Sequence, residues 1–314
     1  RYGENPHQRA AFYRDSQSKG DCVANAESLD GGKAMSYNNY MDADAAFETV
    51  REFDRPAAVV VKHANPCGCA EADSIESAMT DAYEGDPVSA FGSIIALNRS
   101  VTKGVALFLA EPGRFVEAII APDFDPDALD ILRTKPKWKN NVRLLKTGGC
   151  KTESGVSALT YRKINGGLLA MDKDTVRGCR LKADGQPDWT VATKRAPTAD
   201  EIKSLLFAQR VCKHVKSNAI VLSKGTMAVG VGAGQMSRLD SARIAVEKAG
   251  ARARGAVLAS DAFFPFPDAM LVGVDAGITA VIHPGGSKGD AAVIAAADER
   301  GITMVLTGIR HFLH

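Results

Sequence analysis

The feature that most constrains this chain is the recurrence of short apolar runs, each followed by polar punctuation and then by residues with helical spacing. Ala57–Val61, Ile94–Leu97, Val116–Ala121 and Val142–Lys146 mark one half. Ala219–Leu222, Met227–Val231, Ala256–Ser260, Thr279–Ile282 and Ile302–Leu306 mark the other. Runs this short, rich in Val and Ile, suit strands buried on both faces. Helical patterns alternate with them. Asp42–Phe53 sets Ala45, Ala46, Thr49, Val50 and Phe53 on one side, and Asp73 or Ser74 caps a helix that Asp86-Pro87 ends. A stretch near 102–110 and Asp127–Arg133 follow. Beyond Pro197, Thr198-Ala-Asp-Glu201 is a capping box opening a helix to Cys212. Ser237–Ala249, a stretch near 268–276 and Asp290–Arg300 complete the set, and Ser223-Lys224-Gly225-Thr226 reads as a hairpin turn. The expected fold class is therefore α/β, with a mainly parallel sheet covered on both faces. The two halves share an order of elements, with no sequence repeat evident between them.

Boundaries follow from the weaker middle of the chain, where Gly166-Gly167 and Lys182–Pro187 are turn-like. A first unit is expected over 1–165, a connector over 166–196 and a second unit over 197–314. A length of 314 residues suits two domains at roughly one per 150. The net charge of +2 comes without a basic stripe, which argues against a nucleic-acid binder. No apolar run approaches the ~18 residues a membrane span needs. Cys22, Cys67, Cys69, Cys150, Cys179 and Cys212 lack the spacing of a small disulfide-stapled domain. Reduced thiols in a cytoplasm are expected. No signal peptide precedes Arg1, and the chain opens without Met in Arg1-Tyr2-Gly3-Glu4-Asn5-Pro6-His7-Gln8. The expectation is a trimmed chain with a domain upstream.

Chemistry concentrates in Val59-Val60-Val61-Lys62-His63-Ala64-Asn65-Pro66-Cys67-Gly68. An apolar run ends in two adjacent titratable residues, followed at once by Asn-Pro and Gly. In an open α/β sheet, polar groups beyond a strand's end line a ligand crevice. Alternation would send Lys62 and His63 to opposite faces, so they converge only if the strand has ended. Two solvated residues at a strand end is the plainer reading.

Other stretches invite a function and a structural explanation side by side. Gly230-Val-Gly232-Ala-Gly234 lacks the full dinucleotide fingerprint. It reads instead as a bend where backbone approaches a ligand or a neighbouring strand. Gln235, Ser237 and Arg238 beyond it pair a helix start with a guanidinium, which suits an anion. His63 with Cys67-Gly68-Cys69 suggests zinc, yet Asn65 stands where a deaminase has its Glu, and the cysteine pair is one residue short. No metal is expected. Asp261-Ala-Phe263-Phe264-Pro-Phe266-Pro-Asp268 either brackets a flat heterocycle or supplies core aromatics. Ile282-His283-Pro284-Gly285-Gly286-Ser287-Lys288-Gly289-Asp290 either offers backbone N–H groups to an anion or is a plain turn. The C-terminal Arg310-His311-Phe312-Leu313-His314 either frays or is pinned by Phe312 and Leu313, leaving Arg310 for phosphate.

Together these pieces resemble the aminoimidazole carboxamide ribonucleotide (AICAR) transformylase domain of the bifunctional purine biosynthesis family. The markers are Arg1-Tyr2-Gly3-x-Asn5-Pro6-His7-Gln8, Lys62-His63-x-Asn65-Pro66-Cys67-Gly68, Ser89-Ala90-Phe91-Gly92, Ile119-Ile120-Ala121-Pro122, Lys216-Ser217-Asn218-Ala219, Gly232-Ala233-Gly234-Gln235-x-Ser237-Arg238, Ser260–Phe266 and Arg310-x-Phe312-x-His314. The resemblance covers essentially the whole chain. It implies two cytidine deaminase-like α/β/α subdomains in tandem and a cytoplasmic homodimer with sites at the interface. It implies formyl transfer from 10-formyltetrahydrofolate, as co-substrate, to the 5-amino group of AICAR, with an IMP cyclohydrolase domain upstream. Lys62, His63 and Asn218 would be catalytic. Arg1, Tyr2, Gly92, Glu117, Phe263 and Arg310 would contact AICAR, and Arg238, Leu239, Asp268, Ser287 and Lys288 the folate. Some members bind potassium through hydroxyls and an Asp. Here Ser217 and Asp261 match, but Val215 and Ala219 lack hydroxyls. Two other readings are a zinc deaminase-like hydrolase and a non-catalytic nucleotide-binding module.

Overall fold

The structure, a computed structural model, describes residues 2–16, 18, 20–29, 34–151 and 159–314. Its first strands are β1 (Glu27–Ser28), β2 (Ala57–Lys62), β3 (Asn65–Glu71), β4 (Ser93–Leu97), β5 (Val116–Ala121) and β6 (Arg143–Lys146). After the separate hairpin β7 (Leu159–Ile164) and β8 (Gly167–Asp172) come β9 (Thr190–Val191), β10 (Ile220–Lys224), β11 (Met227–Gly232), β12 (Val257–Ser260), β13 (Ala280–His283) and β14 (Thr303–Leu306). One 12-stranded sheet runs β1-β6-β5-β4-β2-β3-β11-β10-β12-β13-β14-β9.

The class is α/β, as expected, but the sheet is mixed rather than mainly parallel. Parallel pairing is confined to β4–β5, β5–β6, β12–β13 and β13–β14 among the described residues. The edge strands β1 and β9 and the hairpin β7–β8 are unexpected, but the element that changes the sheet's centre is β3. Its Pro66 and Gly68 read as loop, yet Asn65–Glu71 pairs antiparallel with β2. Register passes from Val61–Pro66 to Val60–Gly68, leaving Cys67 as the extra residue of a bulge. A bulge is one of the few places a sheet admits proline.

The helices are α1 (Tyr37–Val50), α2 (Ile75–Gly85), α3 (Pro87–Ala90), α4 (Lys103–Leu109), α5 (Pro126–Thr134), α6 (Ala199–Cys212), α7 (Arg238–Ala249), α8 (Asp268–Asp275) and α9 (Asp290–Glu299). Both α1 and α6 open with capping boxes, at Ser36 with Asn39 and at Thr198 with Glu201. These two helices cover one face of the sheet in a single core, where Phe53 and Phe207 meet at 5.3 Å. On the other face the core divides in two. Met79, Leu97, Leu109, Ile119 and Leu132 fill one part, and Leu258, Phe264, Met270, Val281 and Met304 the other.

The halves repeat one topology around the β3–β11 junction: a hairpin, an antiparallel step, two parallel steps and an antiparallel edge strand. Small details recur with it. Asn98 Oδ1 accepts from the Ala57 N–H at 2.8 Å, and Asp261 Oδ1 from the Ala219 N–H at 3.2 Å. A Cβ on Gly68 would stand 1.9 Å from the Ala82 carbonyl, and one on Gly230 2.1 Å from that of Ala245. Ser36 and Thr198, Ala57 and Ala219, and Gly68 and Gly230 keep the same spacing, so a repeat is present that residue identity hides. Gly230 and Gly232 thus serve close packing of α7 on β11, a helix rather than a ligand or strand. The hairpin Leu159–Asp172 straddles residue 165, the boundary drawn from sequence.

Candidate active site

Register defines one edge of the sheet. Lys62 at the end of β2 stands beside the starts of β4 and β5, because Val61 pairs with Ile94 and Ser93 with Val116. On the far side of the junction, the same edge carries the start of β10 and the ends of β11, β12 and β13. The two sides touch where the Asn65 Oδ1 accepts from the Lys216 N–H at 2.9 Å.

The β2–β3 turn is the outlier. His63 (φ 53°) and Ala64 (φ 57°) are the only non-glycine residues with positive φ among those described. Each costs roughly 1–2 kcal/mol relative to a relaxed backbone. The Ala64 N–H donates to Asp42 Oδ1 at 2.7 Å, and Asn65 Nδ2 donates to the His63 carbonyl at 3.0 Å. Burial pushes the Asp42 carboxyl up, opposed by the Ala64 amide and by His63 and Lys62. Nothing in the sequence pattern singled out Asp42. His63 is exposed. Lys62 Nζ donates to the carbonyls of Phe91 (3.1 Å) and Gly92 (2.9 Å), which leaves one of its three donors for a ligand. Gly92 has φ 70°, and a Cβ there would lie 3.2 Å from Lys62 Nζ. Two strands along, Glu117 Oε2 accepts from Arg143 Nη1 at 2.6 Å. Arg143 is buried with its Nε unpartnered. Tyr2 lines a cavity of about 210 Å³ with Phe12, Met35, Tyr37 and Tyr40. Arg1 lies outside the described residues.

A second group gathers around Asp261, which is fully buried at the end of β12. It accepts from Ser217 Oγ (2.5 Å) and from the Arg238 guanidinium. Arg238 also donates to Ser260 Oγ (2.7 Å) and to Asn218 Oδ1 (2.7 Å). Its charge is thus committed inside the protein, where sequence suggested an anion. Asn218 Nδ2 donates to the carbonyls of Gln235 (2.9 Å) and Met236 (3.1 Å). Asn218, Arg238, Leu239, Phe263, Phe266, Asp268 and Phe312 line one cavity of about 390 Å³. The aromatics divide: Phe263 and Phe266 face this cavity, while Phe264 is core, edge-on to His283 at 5.1 Å.

Ser287 and Lys288 lie in the loop after β13. Three of its amides are already used, Gly285 N–H on His283 Nδ1 (3.1 Å), Gly286 N–H on Asp290 Oδ2 (2.7 Å) and Gly289 N–H on Ser287 Oγ (3.0 Å). Arg310 is exposed, with its guanidinium over the Phe312 ring at 4.4 Å. The tail is held by backbone and by His311 rather than by Phe312. The Ser217 N–H donates to the Leu313 carbonyl (2.9 Å), and buried His311 contacts Asp174 Oδ2 (2.6 Å) and the Gly178 carbonyl (2.9 Å).

The two groups share an edge but not a pocket. From β4 to β12 is five strand steps, about 24 Å at ~4.8 Å per step. Lys62 meets Gly92, and Asn218 meets Arg238, but Phe263 does not meet Gly92. No cluster of three or more His, Cys, Asp or Glu side chains is set to hold a metal ion among the described residues. Cys67 Sγ donates to the Val60 carbonyl at 3.3 Å, and burial pushes its thiol up to about 12. Among the described residues no helix is long and apolar enough to cross a membrane.

The pattern that defines the AICARFT/IMPCHase bienzyme family matches residues 1–248. The whole chain aligns at 54% identity with the bifunctional purine biosynthesis protein PurH of Sorangium cellulosum (strain So ce56). Identity to the proteins of the same name is 48% in Rhodopirellula baltica and 52% in Bacillus cytotoxicus. In all three comparisons the chain spans 58% of the relative's length.

Proposed function

The chain belongs to the AICARFT/IMPCHase bienzyme family, and we propose that it catalyses the formyl-transfer half of that pairing. Formyl would pass from 10-formyltetrahydrofolate to the 5-amino group of AICAR, in purine biosynthesis. The cyclohydrolase step is read as belonging to the part of the relatives that this chain does not span. The observation that carries the reading is the Lys62-His63 turn: two proton-handling groups at a sheet edge, on a backbone held against its own preference. Strain of this kind persists where the surroundings over-determine it, and it clusters at functional sites.

The chemistry needs both side chains. The 5-amino lone pair is drawn into the ring and carboxamide, so the amine attacks only as a base removes its proton. Exposed His63 is the residue type for that near pH 7. The formyl oxygen gains negative charge in the tetrahedral intermediate, and N10 of the folate leaves with a proton. Lys62, with one donor free, faces the first and supplies the second. An ammonium worth ~3 kcal/mol at that oxygen gives roughly a hundredfold in rate. Asn218 retains a lone pair on Oδ1 for the carboxamide, and exposed Arg310 suits the phosphate. Phe266 offers an apolar face to the folate ring, beside Leu239 and Asp268, while Phe263 in the same cavity borders AICAR.

The distance between the two groups supports a homodimer. Lys62, Gly92 and Glu117 would come from one copy, and Phe263 and Arg310 from its partner. The test is to mix the chain with both substrates and follow tetrahydrofolate release over a range of protein concentrations. Release with specific activity falling on dilution is expected. Absence of release with both substrates present would contradict the reading.

A further inference from the structure

We propose that Asp42 is a positioning residue for His63, its carboxylate holding the His63–Ala64 turn in the left-handed conformation that presents the imidazole at the sheet edge. This rests on reading His63 as the base in formyl transfer.

A two-residue hairpin with both central residues at positive φ normally uses Asn-Gly, Asp-Gly or Gly-Gly. Here His and Ala occupy those positions (φ 53° and 57°), so something outside the turn must impose the conformation. The Ala64 N–H donates to Asp42 Oδ1 at 2.7 Å, and the His63 amide also acts on that carboxylate. Hydrogen bonds to an ionised acceptor are about twice as strong as neutral ones. The carboxylate is itself well anchored. It projects from α1, whose start is fixed by the Ser36 capping box and whose Ala43, Ala46, Phe47 and Val50 are buried under the sheet. Lys62 and His63 both bear on it electrostatically.

The repeat supplies an internal control. In the second half the hairpin turn is Gly225-Thr226, with Gly225 at φ 59°. The position of α6 that corresponds to Asp42, at the spacing shared by Ser36 and Thr198, is Ser204. Ser204 has no carboxylate, and its carbonyl accepts from Ser223 Oγ at 3.1 Å. The carboxylate and the strained non-glycine turn occur together in one half and are absent together from the other.

Four variants test this in the intact chain: Asp42→Asn, Asp42→Ala, Ala64→Gly and the Asp42→Ala/Ala64→Gly pair. The readouts are kcat and KM in tetrahydrofolate release, and hydrogen exchange of the peptide spanning 57–70. Asp42→Ala should lower kcat roughly tenfold or more with KM for AICAR within twofold, and should unprotect the Ala64 amide. Asp42→Asn, whose amide oxygen still accepts, should recover most of kcat. Adding Ala64→Gly to Asp42→Ala should restore part of it, because glycine takes the left-handed turn without help. Wild-type kcat in Asp42→Ala, or unchanged protection at Ala64, would overturn the proposal. If the wild-type chain transfers no formyl group while Asp42→Ala still loosens the turn, the formyl-transfer reading fails. The hold of Asp42 on the backbone then stands.

Discussion

The two long edges of the sheet are copies of each other, and the proposed catalytic pair Lys62-His63 sits on only one. Each edge places the hairpin turn of one half beside the strand ends of the other. On the first, Lys62 reaches the carbonyls of Phe91 and Gly92 just before β4. On the second, Lys224 reaches the Arg254 carbonyl just before β12, at 3.3 Å. Thr147 Oγ1 turns back to the Gly149 carbonyl at 2.6 Å, as Thr307 Oγ1 does to that of Ile309 at 3.1 Å. The scaffold is shared to this level, while the working groups are not. His63 has Gly225 as its counterpart, Asp42 has Ser204, and His283 has Ala121. Where only a reversal of direction is required, the chain uses glycine. Where a side chain must sit at the reversal, it accepts strain and braces it.

Breaking the shared scaffold should hurt both halves alike. Gly68→Ala and Gly230→Ala each drive a Cβ to within 1.9 and 2.1 Å of a helix carbonyl. Each should lose about 3 kcal/mol or more in urea unfolding. A large loss in one and none in the other would break the equivalence.

The pH dependence of stability is one-sided. Burial lowers the pKa of His283 to about 4, and its first-half counterpart Ala121 cannot titrate. Unfolded histidine takes a proton below about 6.5, which the folded ring refuses until about 4. Stability from this group is therefore complete above pH 6.5 and falls as pH drops towards 4, by about 3 kcal/mol. Urea midpoints across that range should show the slope, and His283→Gln should flatten it.

The smallest stability changes sharpen the contrast at the turns. His63→Gly should raise stability by about 1 kcal/mol and abolish turnover. Gly225→His should lower stability by about 1–2 kcal/mol and spare turnover. The same sign in both stability measurements would mean that the turns are not strained as the φ values indicate.

Much of the fold was legible. The apolar strands of both halves, the Thr198 capping box and a cap at Asp73 or Ser74 (Ser74 in the structure) follow from periodicity and from side chains that satisfy helix-end amides locally. The hairpin at β3 was not, because His63-Ala64 carries no turn signature and Pro66 lies at a bulge visible only in register. In the site, adjacent residues such as Lys62-His63 announced themselves. Pairings across long separations did not. Arg238 with Asp261, Glu117 with Arg143, Asp42 with Ala64 and His311 with Asp174 depend on which elements the sheet brings together. The guanidinium of Arg238 looked free in sequence for this reason.

The most direct test of the account compares Lys62→Ala with Lys224→Ala in formyl transfer from 10-formyltetrahydrofolate to AICAR, because these lysines occupy equivalent places on the two edges. Lys62→Ala should lose roughly a hundredfold in kcat, about 3 kcal/mol of transition-state stabilisation, while remaining folded. Lys224→Ala should match the wild-type chain. Equal losses, or full activity in Lys62→Ala, would contradict a catalytic pair confined to one edge.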